Sequence, residues 1–285
     1  MTALLALSSA AASGVAAVMM HRAALFAPAS PPGLAFVARL VRSRLWVAGI
    51  ALLTVGIGLQ SAALASGRLV VVEPLLTTSL LFGLPLSAAW LHQRMSRRDW
   101  AAAVAVVVGI ALFLRVGAPS GGRSTASIGS WLLAGGAVAL VALTAIKVGW
   151  SQGPVGRATA LALAGGTTTG LVDGLIKTTL ATAGHEHFGV LATWQPYSLV
   201  ALGVTALMLH QHAYREGHLS ESMPAGASSE PVVGSIIGLA VLHERLAVDG
   251  THALVLALAV LLIIGGVVEL ARSPLVAGVA TYCAR

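Results

Sequence analysis

Glu73 and Glu230 each stand immediately before a proline, and each lies inside an apolar run long enough to form a helix in lipid. A carboxylate there is costly unless it faces protein or a water-filled cavity. The chemistry open to it is cation coordination or proton transfer, since a carboxylate is the protein ligand that Mg²⁺ favours. Near a helix end, as at Glu73, a carboxylate can also serve only to accept hydrogen bonds from opened backbone amides. Asp173 belongs with these two: it lies in the apolar stretch GGTTTGLVDGLIKTT, four residues before Lys177, so the pair shares one helix face. They could form a structural ion pair, or Asp173 could face a cavity while Lys177 snorkels to the interface. The reading taken here gives function to Asp173 and structure or charge balance to Lys177. Glu73, Asp173 and Glu230 are then the candidate metal ligands. Lys177, Gln60 and Gln211 join them in a candidate ion pathway, and Pro74, Pro224 and Pro231 would break the adjacent helices by removing backbone donors. The run Gly165-Gly-Thr-Thr-Thr-Gly170 is expected to be a packing face rather than a phosphate cradle, because no GK[ST] follows.

These residues need a scaffold, and the composition says which solvent it has. Of 285 residues, 57% are hydrophobic and 9% are charged, against about 25% charged in soluble domains. Mean hydropathy is +0.88. The net charge of +7 could suggest a nucleic-acid partner, but the arginines sit in short turns between apolar runs, the pattern of topogenic charge. No nucleic acid is expected; the partner is the lipid bilayer. The single cysteine, Cys283, excludes an intramolecular disulfide and a cysteine metal site.

Nine apolar runs are long enough to cross roughly 30 Å of hydrocarbon: 2–20, 45–65, 69–91, 100–117, 128–148, 158–181, 197–214, 222–242 and 251–271. The first lacks a basic start and a small-residue cleavage site, so a retained span is expected rather than a signal peptide. With the N-terminus outside, the segments holding Arg22, Arg39, Arg42, Arg44, Arg94, Arg97, Arg98, Lys147, Arg157, Arg215, Arg272 and Arg285 become cytoplasmic. Arg68, Arg115, Arg123 and Arg245 fall on the other side. The positive-inside bias therefore favours an N-out, C-in protein of the plasma membrane.

The chain also repeats itself. Gln60 and Gln211 each open a short segment ending in glycine, at Gly67 and Gly217; Pro74 and Pro224 each follow seven residues later. Leu91-His-Gln-Arg94 then matches Leu242-His-Glu-Arg245 after a one-residue shift, and each copy closes with a glycine-bearing helix, at Gly109 and at Gly265-Gly266. Under the topology above the copies run in opposite directions. Residues 1–117 form one half, 158–285 the other, and 118–157 the connecting span and loops. Inverted halves with Pro- or Gly-interrupted helices at matching places point to a site near the bilayer midplane.

Glu73-Pro74, Leu242-His-Glu-Arg245 and the closing glycines resemble the repeat of the drug/metabolite transporter superfamily, the EamA-like fold. The phrase VVEPLLTTSLLFGLPL, the turn Ser96-Arg-Arg-Asp-Trp100 and the nine-span layout are similar to its NIPA-like magnesium-transporter branch and actinobacterial relatives. The resemblance implies an all-α polytopic protein of about nine helices in two inverted repeats. It implies a transporter working by alternating access, with Mg²⁺ or another divalent cation as substrate.

Nothing in the sequence suggests an enzyme or a cofactor: no Ser/His/Asp series, paired catalytic carboxylates or nucleotide loop is visible. His210 and His212 are two apart and do not share a helix face, which argues against a zinc pair. Two alternatives stand beside cation transport. One is a proton-coupled exporter of small metabolites or drugs, which requires a roomier cavity. The other is a non-transporting accessory or scaffold protein, in which the carboxylates would be replaceable. Small-residue faces also permit a homodimer.

Overall fold

The computed structural model describes residues 1–25, 42–90, 94–216, 219–247 and 250–271. Among them the chain is almost wholly helical. In order come α1 (Thr2–Leu25), α2 (Arg44–Ser66), α3 (Leu69–Leu76), α4 (Ser79–Trp90), α5 (Arg97–Gly117), α6 (Ile128–Trp150), α7 (Gly153–Glu186), α8 (Gln195–Glu216), α9 (Leu219–Ala240) and α10 (Gly250–Ala271). Each apolar run read from the sequence coincides with one of these helices, or with the broken pair α3–α4. Six of the helical stretches are long and apolar enough to cross a membrane: Thr2–Met20, Arg44–Ser66, Leu69–Trp90, Arg97–Gly117, Ile128–Trp150 and His252–Leu270. The protein is an all-α polytopic membrane protein.

Local sequence sets the helix ends. Ser43 opens α2 by accepting the Trp46 amide at 3.4 Å, and Ser127 opens α6 by accepting that of Ser130 at 3.2 Å. At α5 the Ser96-Arg-Arg-Asp99 turn is a reciprocal capping box: Ser96 Oγ accepts the Asp99 amide (3.1 Å) and Asp99 Oδ2 accepts the Ser96 amide (2.7 Å). The expected single span over 69–91 is instead broken at Thr77–Thr78. Pro74 cannot donate to the carbonyl of Val70. The hydroxyls of Thr77 and Thr78 donate to the carbonyls of Pro74 and Leu75, each at 2.6 Å, so the break is satisfied from within.

Small residues govern the packing, because lipid supplies no hydrophobic drive between helices and close backbone approach replaces it. Helix α1 lies on α2, where Ser9 Oγ donates to the Gly56 carbonyl at 2.8 Å, and on α4, where Gly14 meets Gly83. Helix α7 lies on both α8 and α9, with Gly166 and Gly170 facing α9. The GGTTTG run is thus a packing face, and the hydroxyls of Thr167, Thr168 and Thr169 return to carbonyls of their own helix. Helices α5 and α10 meet through Gly109 and Gly266, and α3 crosses α9. Leu132, Leu133, Leu140 and Leu143 of α6 are exposed, as a helix against lipid requires.

One end of the bundle is tied by backbone. Ser120–Gly121 and Glu244–Arg245 form a two-stranded antiparallel sheet pairing Ser120 with Arg245 and Gly121 with Glu244. The Ala247 amide adds a bond to the Gly117 carbonyl (2.8 Å), and the Arg123 amide one to Leu242 (2.6 Å).

A buried carboxylate cluster between three helices

Three helices bring their acids together. Glu73 comes from α3, Asp173 from α7 and Glu230 from α9, and one carboxylate oxygen of each lies within 4.8 Å of the others. Glu73 is 1% exposed and Asp173 2%, whereas Glu230 is less deeply buried. Both oxygens of Glu73 and Oδ2 of Asp173 are buried without a hydrogen-bond partner. The other oxygen of Asp173 accepts from Gln60 Nε2 of α2 at 2.9 Å. An amide neither neutralises the cluster nor competes for the remaining oxygens.

The backbone makes room for this convergence. A Cβ on Gly234 of α9 would overlap the Glu73 carboxyl, so the absence of a side chain there is what admits Glu73 against α9. Gly170 likewise lets α7 approach the Glu230 carbonyl. Beside the acids is a cavity of about 110 Å³, lined by Glu73, Leu76, Thr77, Ser79, Leu80, Ala227, Glu230 and Pro231. Pro231 deprives the Ala227 carbonyl of its usual i+4 donor, as Pro74 does for Val70, but α9 runs unbroken through it, so the helix break expected at Pro231 does not occur. Both Glu-Pro pairs therefore set a carboxylate beside locally freed backbone, at the crossing of α3 and α9.

Lys177 does not join the cluster. It forms no ion pair with Asp173; its ammonium lies 2.6 Å from Glu244 Oε1, deep in the protein. The same carboxylate accepts the amides of Leu69 (2.8 Å, Oε1) and Val70 (2.9 Å, Oε2). The reason is electrostatic. Arg68 precedes α3 and offers no side-chain cap, so the helix begins with orphan donors in a water-poor setting. A carboxylate satisfies them and also attracts the nearby lysine. The charge-balancing role expected for Lys177 is thus exercised toward Glu244, a residue whose sequence reading went no further than the repeated turn. The signal that could have found it is a helix start without Ser, Thr, Asp or Asn. Gln60, read mainly as a mark of the repeat, reaches the cluster directly. Gln211 and Pro224 lie outside the residues whose side chains are described.

No family model matches the chain, and no solved structure matches it. The chain is similar to an uncharacterized protein of Corynebacterium glutamicum, with 29% identity over 282 residues covering 95% of this chain and 94% of that protein. The similarity thus spans nearly the whole length of both chains.

Proposed function

We propose that the protein is a transporter that moves a divalent cation, Mg²⁺ first among them, across the membrane by alternating access. The observation that carries this reading is the meeting of Glu73, Asp173 and Glu230 within 4.8 Å, inside the helical bundle. Three carboxylates so close repel one another and lose hydration on burial, and a doubly charged cation removes both penalties at once. Oxygen donors suit a hard cation, and Mg²⁺ retains several waters when bound, for which the 110 Å³ cavity has room. A drug-sized solute needs about 300 Å³ or more, which weighs against the metabolite-exporter reading.

The crossing of the two Glu-Pro segments supports two inverted halves, 1–117 and 158–285, joined through 118–157; nine spans with the N-terminus outside rest on the apolar runs and the distribution of arginines. Helices α1, α2 and α3–α4 have their counterparts in α7, α8 and α9: α1 packs on α2 and α4 as α7 packs on α8 and α9. In this reading the halves rock about the acidic crossing, the protein has no enzymatic activity, and its kinship is with the drug/metabolite transporter superfamily.

The test is Mg²⁺ uptake into liposomes containing the purified protein, for wild type, Asp173→Asn and Glu230→Gln. Saturable uptake that either substitution abolishes establishes the reading. A flat wild-type trace from folded protein rejects it, and uptake unaffected by both substitutions rejects the site.

A further inference from the structure

Lys177 and Glu244 stand one helical turn from the acidic cluster on each of the three helices that supply its acids. On α7 the interval runs from Lys177 to Asp173. On α3 it runs from Leu69 and Val70, whose amides Glu244 accepts, to Glu73. On α9 it runs from Gly238, which faces the Glu244 carboxylate, to Gly234, which faces Glu73. Four residues of helix rise about 6 Å, and residues four apart share a face. The flexible four-carbon stem of a lysine spans that interval. Lys177 therefore has two carboxylates within reach: Glu244, which it holds at 2.6 Å, and Asp173, whose Oδ2 is buried without a partner.

Lys177 also lines a second cavity, of about 260 Å³, with Ser66, Arg68, Gly121, Gly122, Arg123 and Ser124. This cavity opens at the end of the bundle tied by the two-stranded sheet. The Lys177–Glu244 pair thus stands between that mouth and the cluster. While the pair holds, Glu244 also grips the first amides of α3 and fixes that helix at this end of the bundle.

We propose that Lys177 is a tethered competitor for the cation site, exchanging Glu244 for Asp173 when the cation leaves. Resting on the cation-transport reading above, this adds its coupling. With Lys177 on Glu244, no cationic side chain occupies the cluster, which receives the cation while the mouth is closed. When the cation leaves, Lys177 crosses one turn to Asp173, Glu244 loses its cationic partner, and its hold on α3 weakens. No proton is transferred and no bond is made or broken; one ammonium trades carboxylates. The consequence is that cation release and opening of the mouth become a single event.

Mg²⁺ titration of the purified full-length protein, by calorimetry with MgCl₂, tests this in a double-mutant cycle. Lys177→Gln removes the competitor, and the dissociation constant should fall about tenfold. Glu244→Gln, which keeps an acceptor for the α3 amides, frees Lys177 for Asp173, and the constant should rise about tenfold, since an occupied site reduces apparent affinity by the fraction competent to bind. The deciding species is the double variant. If Lys177 exchanges partners, Glu244→Gln has no effect once Lys177 is gone, and the double variant binds as tightly as Lys177→Gln. If the two charges act only as fixed sources of field, their effects cancel and the double variant binds as wild type does, which overturns the proposal. Should Lys177→Gln not fold, Lys177→Met supplies the same uncharged background. Wild type that binds no Mg²⁺ would instead refute the transport reading itself.

Discussion

The carboxyl of Glu73 occupies the space that a side chain on Gly234 would take, so the acid on α3 and the glycine on α9 form one interlocking contact. In Gly234→Ala the methyl must displace the Glu73 carboxyl, the flexible end of its side chain, from the cluster, or force the helices apart. Overpacking of this kind costs about 1–3 kcal/mol. The expected outcome is a lower melting temperature together with loss of Mg²⁺ uptake. Gly136→Ala on α6, where a Cβ meets open space, should leave uptake unchanged. Thermal unfolding and liposome flux on the two variants check both halves of the statement.

Stability and function should move in opposite directions at Glu73 itself. Its two oxygens are buried without partners, and an uncompensated buried charge is destabilising. Glu73→Gln removes that charge, so the melting temperature in Mg²⁺-free buffer should rise while uptake disappears. A thermal scan with and without about 1 mM MgCl₂, about a thousandfold over a micromolar site, should also show stabilisation of about 4 kcal/mol in wild type and none in the variant.

Gln60 holds one oxygen of Asp173 from α2, and so acts on the cation only through that carboxylate. Loss of such an orienting partner costs metal sites about 10–100-fold in affinity. Gln60→Leu should weaken Mg²⁺ binding by that factor, as read by calorimetry, without abolishing it. Equal weakening by Gln60→Glu would show that geometry matters less than the amide's ability to donate.

The orientation read from the arginines is open to a direct check. Ser124 and Ser151 are both exposed and follow α5 and α6, at successive turns of the chain. In a protein whose native thiol is removed by Cys283→Ser, a membrane-impermeant maleimide added to intact cells should label Ser124→Cys. Ser151→Cys should be labelled only after permeabilisation. The reverse pattern would place the N-terminus inside.

Much of the helix layout was legible, because burial in lipid imposes one solvent on a whole helix and the apolar runs end where charge or capping residues appear. Asp99 and Ser96 mark the start of α5 this way, and Ser127 that of α6. The acids were legible as well, since Glu73, Asp173 and Glu230 stand out in apolar surroundings whatever the fold. Their convergence was not. It depends on Gly234 and Gly170 letting α3, α7 and α9 approach, and a glycine in a helix looks the same in sequence whether it faces a carboxylate or, like Gly136, open space. The partner of Lys177 was hidden for a related reason. Asp173 is its neighbour by helical periodicity, but the competing attraction comes from the uncapped start of α3, which only tertiary structure brings to Glu244. The break at Thr77–Thr78 was half visible: Pro74 announced a lost hydrogen bond, but not where the helix would yield.

The reach of Glu244 back to Leu69 and Val70 also bears on how the protein is made. The first amides of α3 acquire their acceptor from a residue 175 positions further along the chain. At a synthesis rate of about 5–20 residues per second, that interval lasts roughly ten to thirty-five seconds. Throughout it, a helix already committed to the membrane carries unanswered donors, and Lys177, once it emerges, has no Glu244 to pair with. The start of α3 is therefore left unanswered until Glu244, which follows α9, has been made. A ribosome stalled before Glu244 leaves a product whose unfinished state is exposed to quality-control proteases.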